Sequence, residues 1–148
     1  MIDVVSEKTR SLMMSGIKGK NTKPEILVRK ALFAEGYRFR LHRKDLPGSP
    51  DVVLPGRNLA IFVNGCFWHY HAGCSLAKLP ATRSEFWRAK LERNRIRDLE
   101  AIGALEKHGW RVLVVWECFI RQHHNYLELG SALTKWIKSG QVFEEFSG

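Results

Sequence analysis

The sequence predicts a single α/β domain, on three observations: 148 residues with 45% hydrophobic content, a helical segment followed by three short β-branched runs, and a near-continuous apolar strand between two further helical patterns. Domains commonly run to roughly 100–200 residues, so the whole chain fits one core. The expected organisation is one domain over 1–148, with an arm or helix at 1–20 ahead of a core over 21–140.

The first core helix is expected from Asn21 to Gly36. Asn21 or Thr22 suits the N-cap, Pro24 the first turn and Gly36 the stop, while Ile26, Leu27, Ala31, Leu32 and Ala34 recur at near-helical spacing. Three runs read as strands between Pro and Gly punctuation: Tyr37 to His42, Asp51 to Leu54 and Leu59 to Val63. From about Thr82 to His108 there is no Pro, and Phe86, Leu91, Ile96, Leu99, Ile102 and Leu105 form an apolar stripe on a basic helix that Gly103 can interrupt. Arg111 to Glu117 reads as a strand buried on both faces, and Tyr126 to Ser139 as a last helix.

Lys and Arg number 24 against 15 Asp and Glu, giving a net charge of +9. That balance favours a polyanionic partner, nucleic acid before a membrane surface. No run approaches the ~18 apolar residues of a spanning helix. The opening residues lack the n-region and h-region of a secretory signal, so an intracellular, cytoplasmic protein is expected. Three cysteines cannot all pair within one chain, which directs attention to metal ligation.

Two clusters carry chemistry. Pro47-Gly48-Ser49-Pro50-Asp51 is a turn that delivers a carboxylate to a strand start, and the next strand ends at Val63-Asn64. Asp51 with a backbone carbonyl or the Asn64 amide oxygen offers the partial oxygen shell that Mg²⁺ wants, with Glu25 in support. His69 offers a neutral imidazole near pH 7, as a general base requires. The bland alternatives are a turn-capping Asp51 and a packed His69. The second cluster is Cys66, His71, Cys74 and Cys118, a Cys₃His set suited to structural Zn²⁺. His69, His123 and His124 stand close enough in sequence to substitute for His71.

Phe67 and Trp68 place large apolar side chains in a loop, and Trp87 lies on the basic helix. Proteins that distort DNA use such side chains as wedges between bases, although core packing is the ordinary fate of an aromatic residue. Arg83, Arg88, Lys90, Arg93, Arg95 and Arg97 concentrate cations on the same helix, a phosphate-binding face or else a solvated one paired with Glu85, Glu92, Asp98 and Glu100.

Five segments together bring a family into view: Thr9 to Glu25, Leu46 to Asp51, Ile61 to His69, Pro80 to Trp87 and Gly109 to Cys118. In this order and spacing the chain resembles the very short patch repair endonuclease family over roughly residues 9 to 120. The resemblance implies a restriction-endonuclease-like core with a central mixed β-sheet flanked by helices. It also implies a structural zinc and Mg²⁺-dependent nicking of double-stranded DNA 5′ to the thymine of a T·G mismatch, the lesion left by deaminated 5-methylcytosine.

By motif, Asp51 is the Mg²⁺ ligand, Val63 offers its backbone carbonyl to the same ion, His69 is the general base and Glu25 supports the site. Cys66, His71, Cys74 and Cys118 hold zinc. The resemblance further implies that Phe67, Trp68 and Trp87 form the wedge, that Lys90 and Asn94 touch the mispaired bases, and that residues 1–20 contact DNA. A monomer is expected, with mismatch-repair proteins as possible partners.

Two departures stand out. Asn64 occupies the place of a histidine in the best-known family pattern; it can hydrogen-bond a phosphate oxygen but cannot exchange a proton. Ala72-Gly73 lengthens the loop before Cys74 by one residue. Two rivals to the mismatch-nicking reading are a restriction-type or structure-specific nickase with no mismatch requirement and a non-catalytic, zinc-containing DNA-binding protein.

Overall fold

The computed structural model describes residues 21–123 and 125–148; the expected arm over residues 1–20, and His124, lie outside them. Among the described residues the elements are helix α1 (Lys23–Ala34), strands β1 (Arg40–Leu41), β2 (Val52–Leu54) and β3 (Leu59–Asn64), helix α2 (Ser84–Lys107), strand β4 (Arg111–Trp116), helices α3 (Glu117–Gln122) and α4 (Tyr126–Ser139), and strand β5 (Phe143–Phe146). The five strands form one sheet in the order β1-β2-β3-β4-β5. β1, β2 and β3 pair antiparallel, whereas β3, β4 and β5 run parallel. The sheet is therefore mixed, as expected.

Alternation along the strands sorts side chains into two apolar layers. Leu59, Ile61 and Val63 of β3 join Leu113 and Val115 of β4 on one face, against Val28, Ala31 and Leu32 of α1 and Leu129, Leu133 and Ile137 of α4. On the opposite face Ala60, Val112, Val114 and Trp116 pack with Leu105 of α2 and with Cys66. Helices thus cover both faces of the sheet.

α1 begins with a reciprocal cap: the Thr22 hydroxyl accepts from the Glu25 N–H at 3.3 Å, and the Glu25 carboxylate accepts from the Asn21 N–H at 2.5 Å. It ends where Gly36, at φ +88°, lets the chain reverse.

Several elements differ from expectation for physical reasons. The run Tyr37 to His42 is a strand only at Arg40–Leu41, since among the described residues it pairs with β2 alone and His42 turns to φ 48°. α2 runs unbroken through Gly103. Its stripe is narrower than expected: Leu91, Ala101 and Leu105 are buried, while Phe86, Ile96 and Leu99 are exposed. Twenty-four residues of helix extend roughly 36 Å, whereas six-residue β3 and β4 span only about 20 Å, so much of the helix overhangs the sheet. β4 stops at Trp116 because α3 starts at Glu117. α3 and β5 have no clear sequence signal: six residues are too short for a helical period, and Phe143-Glu144-Glu145-Phe146 lacks the β-branched run that marks β2 and β3.

Candidate active site and metal centre

The parallel register of β3 and β4 pairs Asn64 with Trp116. The turn after each strand therefore emerges at the same end of the sheet, and Cys66 meets Cys118 there. β2 runs the other way, so Asp51, one residue before it, sits at this end too. α1 adds Glu25 from one side and α2 adds Asp98 from the other. A cavity of about 880 Å³ opens between them, lined by Glu25, Asp51, Asn64, Trp68, His69 and Asp98 among others.

Asp51 is delivered by the tight turn Gly48-Ser49-Pro50. Gly48 sits at φ +75°, and a Cβ there would lie 2.6 Å from the Ala101 side chain of α2. Only glycine lets the turn approach the helix so closely. Beyond the turn, Asp51 Oδ2 accepts from the Val63 N–H at 2.8 Å, tying the start of β2 to the end of β3.

Burial pushes the Asp51 carboxyl up to about 8, and the neighbouring Glu25 carboxyl adds to the effect while the Val63 N–H opposes it. Glu25 is almost fully buried. Its carboxylate meets the Arg29 guanidinium at 3.0 Å and His42 Nε2 at 3.3 Å. His42 also donates its backbone N–H to the Asp51 carbonyl at 3.1 Å. Ligand atoms of Glu25, His42 and Asp51 lie within 4.8 Å of one another. Two carboxyl groups crowded into a buried pocket, one holding its proton to about pH 8, are what an added cation would relieve.

His42 was absent from the sequence-derived site. It ends a strand-like run, and nothing in the local pattern distinguishes it from an ordinary surface histidine.

His69 lies across the cavity. Its Nδ1 sits 2.6 Å from Asp98 Oδ2, so Nε2 is the ring nitrogen that Asp98 does not engage. In the sequence Asp98 is only one of several acids balancing a basic helix. Its helical position, four residues past Asn94, is the signal that would have found it. Asn94 donates to the Trp68 carbonyl at 3.1 Å and accepts from Arg97 at 3.0 Å, so α2 clamps the loop that carries His69. Asn64 is buried at the end of β3 and lines the cavity beside His69.

Next to the cavity mouth Phe67, Trp68 and Trp87 form a half-buried aromatic triangle with centroid distances of 5.0, 5.6 and 5.9 Å. The Lys90 ammonium stands 5.5 Å from the Trp87 ring. None of the three aromatic side chains belongs to either apolar layer, whereas Trp116 is buried and Trp110 packs against the second layer.

Behind the cavity Cys66, His71, Cys74 and Cys118 converge, their ligand atoms within 4.8 Å of one another. Cys118 Sγ is 3.5 Å from His71 Nδ1, and the Cys118 N–H donates to Cys66 Sγ at 3.4 Å. Burial pushes the Cys66 thiol up and the His71 imidazole down. His71 fills the nitrogen position: His69 is engaged by Asp98, and His123 turns to the Phe119 carbonyl at 3.0 Å. Three sulfurs and one imidazole nitrogen fit a thiophilic ion in a closed tetrahedral shell.

A mixed α/β sheet with a buried Glu25 beside a part-buried Asp51, and a carboxylate-steadied histidine opening into the same cavity, on a strongly basic chain, defines the class of a DNA endonuclease. Sequence comparison places it within that class. The family model described as DNA mismatch endonuclease Vsr matches residues 2–75. The chain is 52% identical over 118 residues to the Type II nicking enzyme V.XorIIP of Xanthomonas oryzae pv. oryzae (strain KACC10331 / KXO85), covering 80% of this chain and 86% of that protein. It is 42% identical over 139 residues to the DNA mismatch endonuclease Vsr of Escherichia coli (strain K12), covering 93% and 88%. It is 39% identical over 138 residues to the Type II nicking enzyme V.NmeAIP of Neisseria meningitidis serogroup A / serotype 4A (strain DSM 15465 / Z2491), covering 93% and 98%. The chain belongs to the Vsr endonuclease family. Among the described residues no helix is long and apolar enough to cross a membrane.

Proposed function

We propose that the protein nicks one strand of duplex DNA 5′ to the thymine of a T·G mismatch by Mg²⁺-dependent hydrolysis, acting as a monomer. The observation that carries this reading is the adjacency of two devices on one loop. Phe67 and Trp68, suited to opening a base stack, are followed directly by His69, which lines the same cavity as Glu25 and Asp51. The Escherichia coli relative named a DNA mismatch endonuclease supports the substrate.

Asp51, with Glu25 beside it and the Val63 carbonyl nearby, would hold Mg²⁺. Bound there, the ion supplies positive charge to the scissile phosphate and the departing oxygen. His69 Nε2 takes the proton of the attacking water, and Asp98 fixes the tautomer that leaves this nitrogen free and steadies the imidazolium that results. The Asn64 amide donates to a phosphate oxygen without changing protonation. Phe67, Trp68 and Trp87 enter the stack at the mispair, and Lys90 and Asn94 lie at its edge. Zn²⁺ held by Cys66, His71, Cys74 and Cys118 has a structural role, since four protein ligands leave no open position.

A second reading, a nickase with no mismatch requirement, is favoured by the relatives named Type II nicking enzymes. End-labelled duplexes with and without a T·G mismatch, incubated with and without Mg²⁺, separate the two. A single Mg²⁺-dependent nick 5′ to the mispaired thymine, absent in Asp51→Ala, supports the mismatch enzyme. Equal cutting of paired and mispaired duplexes supports the nickase.

A further inference from the structure

The Cys₃His cluster has a wall that the ligand loop does not supply. Among the described residues β5 is an edge strand paired only with β4, and it carries Glu145 and Phe146 past the cluster. Phe146 anchors it on Phe119 of α3, with ring centroids 5.0 Å apart. Glu145 Oε1 accepts from the Trp116 indole N–H at 3.0 Å. That indole is buried and lies flat on the His71 ring, 4.0 Å away at 7°. Two residues past β5 the Gly148 N–H donates to Cys118 Sγ at 3.2 Å. A Cβ at position 148 would fall 2.9 Å from the Cys118 carbonyl oxygen, so this approach requires glycine.

We propose that residues 145–148 form an outer brace of the metal centre, in which Glu145 holds the Trp116 indole against His71 and the Gly148 N–H supports the Cys118 thiolate. The inference rests on the reading of the cluster as a zinc site. The chemistry is that of groups behind metal ligands: they fix ligand orientation and offset thiolate charge, and their loss typically lowers metal affinity about 10- to 100-fold. A buried indole N–H needs an acceptor, and without Glu145 the ring loses the bond that sets its plane over His71. An N–H donated to a thiolate offsets part of the negative charge gathered by three sulfurs around one dication.

The test is zinc retention. Full-length protein carrying one zinc equivalent is mixed with excess chromogenic chelator, and the rate of zinc release is followed with circular dichroism as a check on folding. Glu145→Ala and Gly148→Val should release zinc about 10-fold faster or more, with native spectra before the challenge. Glu145→Gln, whose amide oxygen still accepts the indole hydrogen bond, should stay near wild type; if it releases as fast as Glu145→Ala, the hydrogen bond is not the cause and the proposal falls. Release from Glu145→Ala and Gly148→Val at the wild-type rate would overturn the brace while leaving the zinc assignment intact. A folded wild-type protein that binds no zinc would overturn both.

Discussion

His69 meets Asp98 at 2.6 Å across the gap between the loop after β3 and helix α2, and this contact engages the imidazole through Nδ1. An acid on Nδ1 keeps the proton there and leaves Nε2 basic. Asp98→Asn should preserve the fold and DNA binding yet lower kcat by about 10²-fold or more, because an amide does not favour that tautomer or stabilise the charged ring. Single-turnover nicking measured beside a binding titration checks this. A parallel loss of binding would point to a displaced loop instead.

The crowded acids make metal-free stability depend on pH. Burial holds the Asp51 carboxyl at about 8 against an ordinary 3.8, so between those values the folded chain binds more protons at this site than the unfolded chain. Stability contributed here is full below the unfolded value and is lost as pH rises towards 8. In Mg²⁺-free buffer Asp51→Asn should therefore melt above wild type at pH 8, with a gain on the order of a few kcal/mol, and the difference should close towards pH 4. Added Mg²⁺ should raise the wild-type Tm at pH 8 and leave the variant unmoved. Thermal scans across this range read both effects.

Gly48→Ala tests the turn that presents Asp51. The added methyl collides with Ala101 at 2.6 Å and sits at φ +75°, so a loss of about 1–3 kcal/mol is expected. Because the displaced turn carries Asp51 with it, the Mg²⁺ concentration needed for half-maximal nicking should rise as well. Urea denaturation and a Mg²⁺ titration measure the two consequences.

Cys74→Ala removes one member of the sulfur cluster. Loss of stoichiometric zinc and a lower Tm are expected, since the binding energy of a structural ion is folding energy. A full zinc equivalent by elemental analysis, with unchanged melting, would show that the ligand set is different.

Trp68→Ala should weaken binding to a T·G duplex more than binding to a paired one, because the indole acts where the stack is opened. Equal losses on both duplexes would mean that the ring serves the aromatic triangle structurally. Competition binding at fixed salt distinguishes these outcomes.

Much of the fold could be read from the chain because its signals were local. Thr22 and Gly36 bracket α1, and β3 and β4 are written as apolar runs. Long-range pairing was not readable: nothing in Phe143-Glu144-Glu145-Phe146 announces a strand until β4 is beside it. The Cys₃His set was accessible because four metal-binding side chains are scarce and distinctive. His42 and Asp98 were not, since their importance comes from Glu25 and His69 meeting them across 17 and 29 residues. The stripe on α2 was overdrawn because periodicity reports which face of a helix is apolar, not how much sheet lies beneath it.

The pairing of Asn64 with Trp116 also bears on safety. A slip of β3 against β4 by two residues, about 6.6 Å, would preserve which side chains face each layer, and so is the folding error that hydrophobic patterning tolerates best. That distance exceeds the 4.8 Å within which the four metal-binding side chains gather, so Cys66 would be carried away from Cys118 and His69 from Asp98 in the same movement. On the roles proposed for these residues, a misaligned chain would lack both the metal cluster and the steadied histidine, so cutting would await the proper strand pairing.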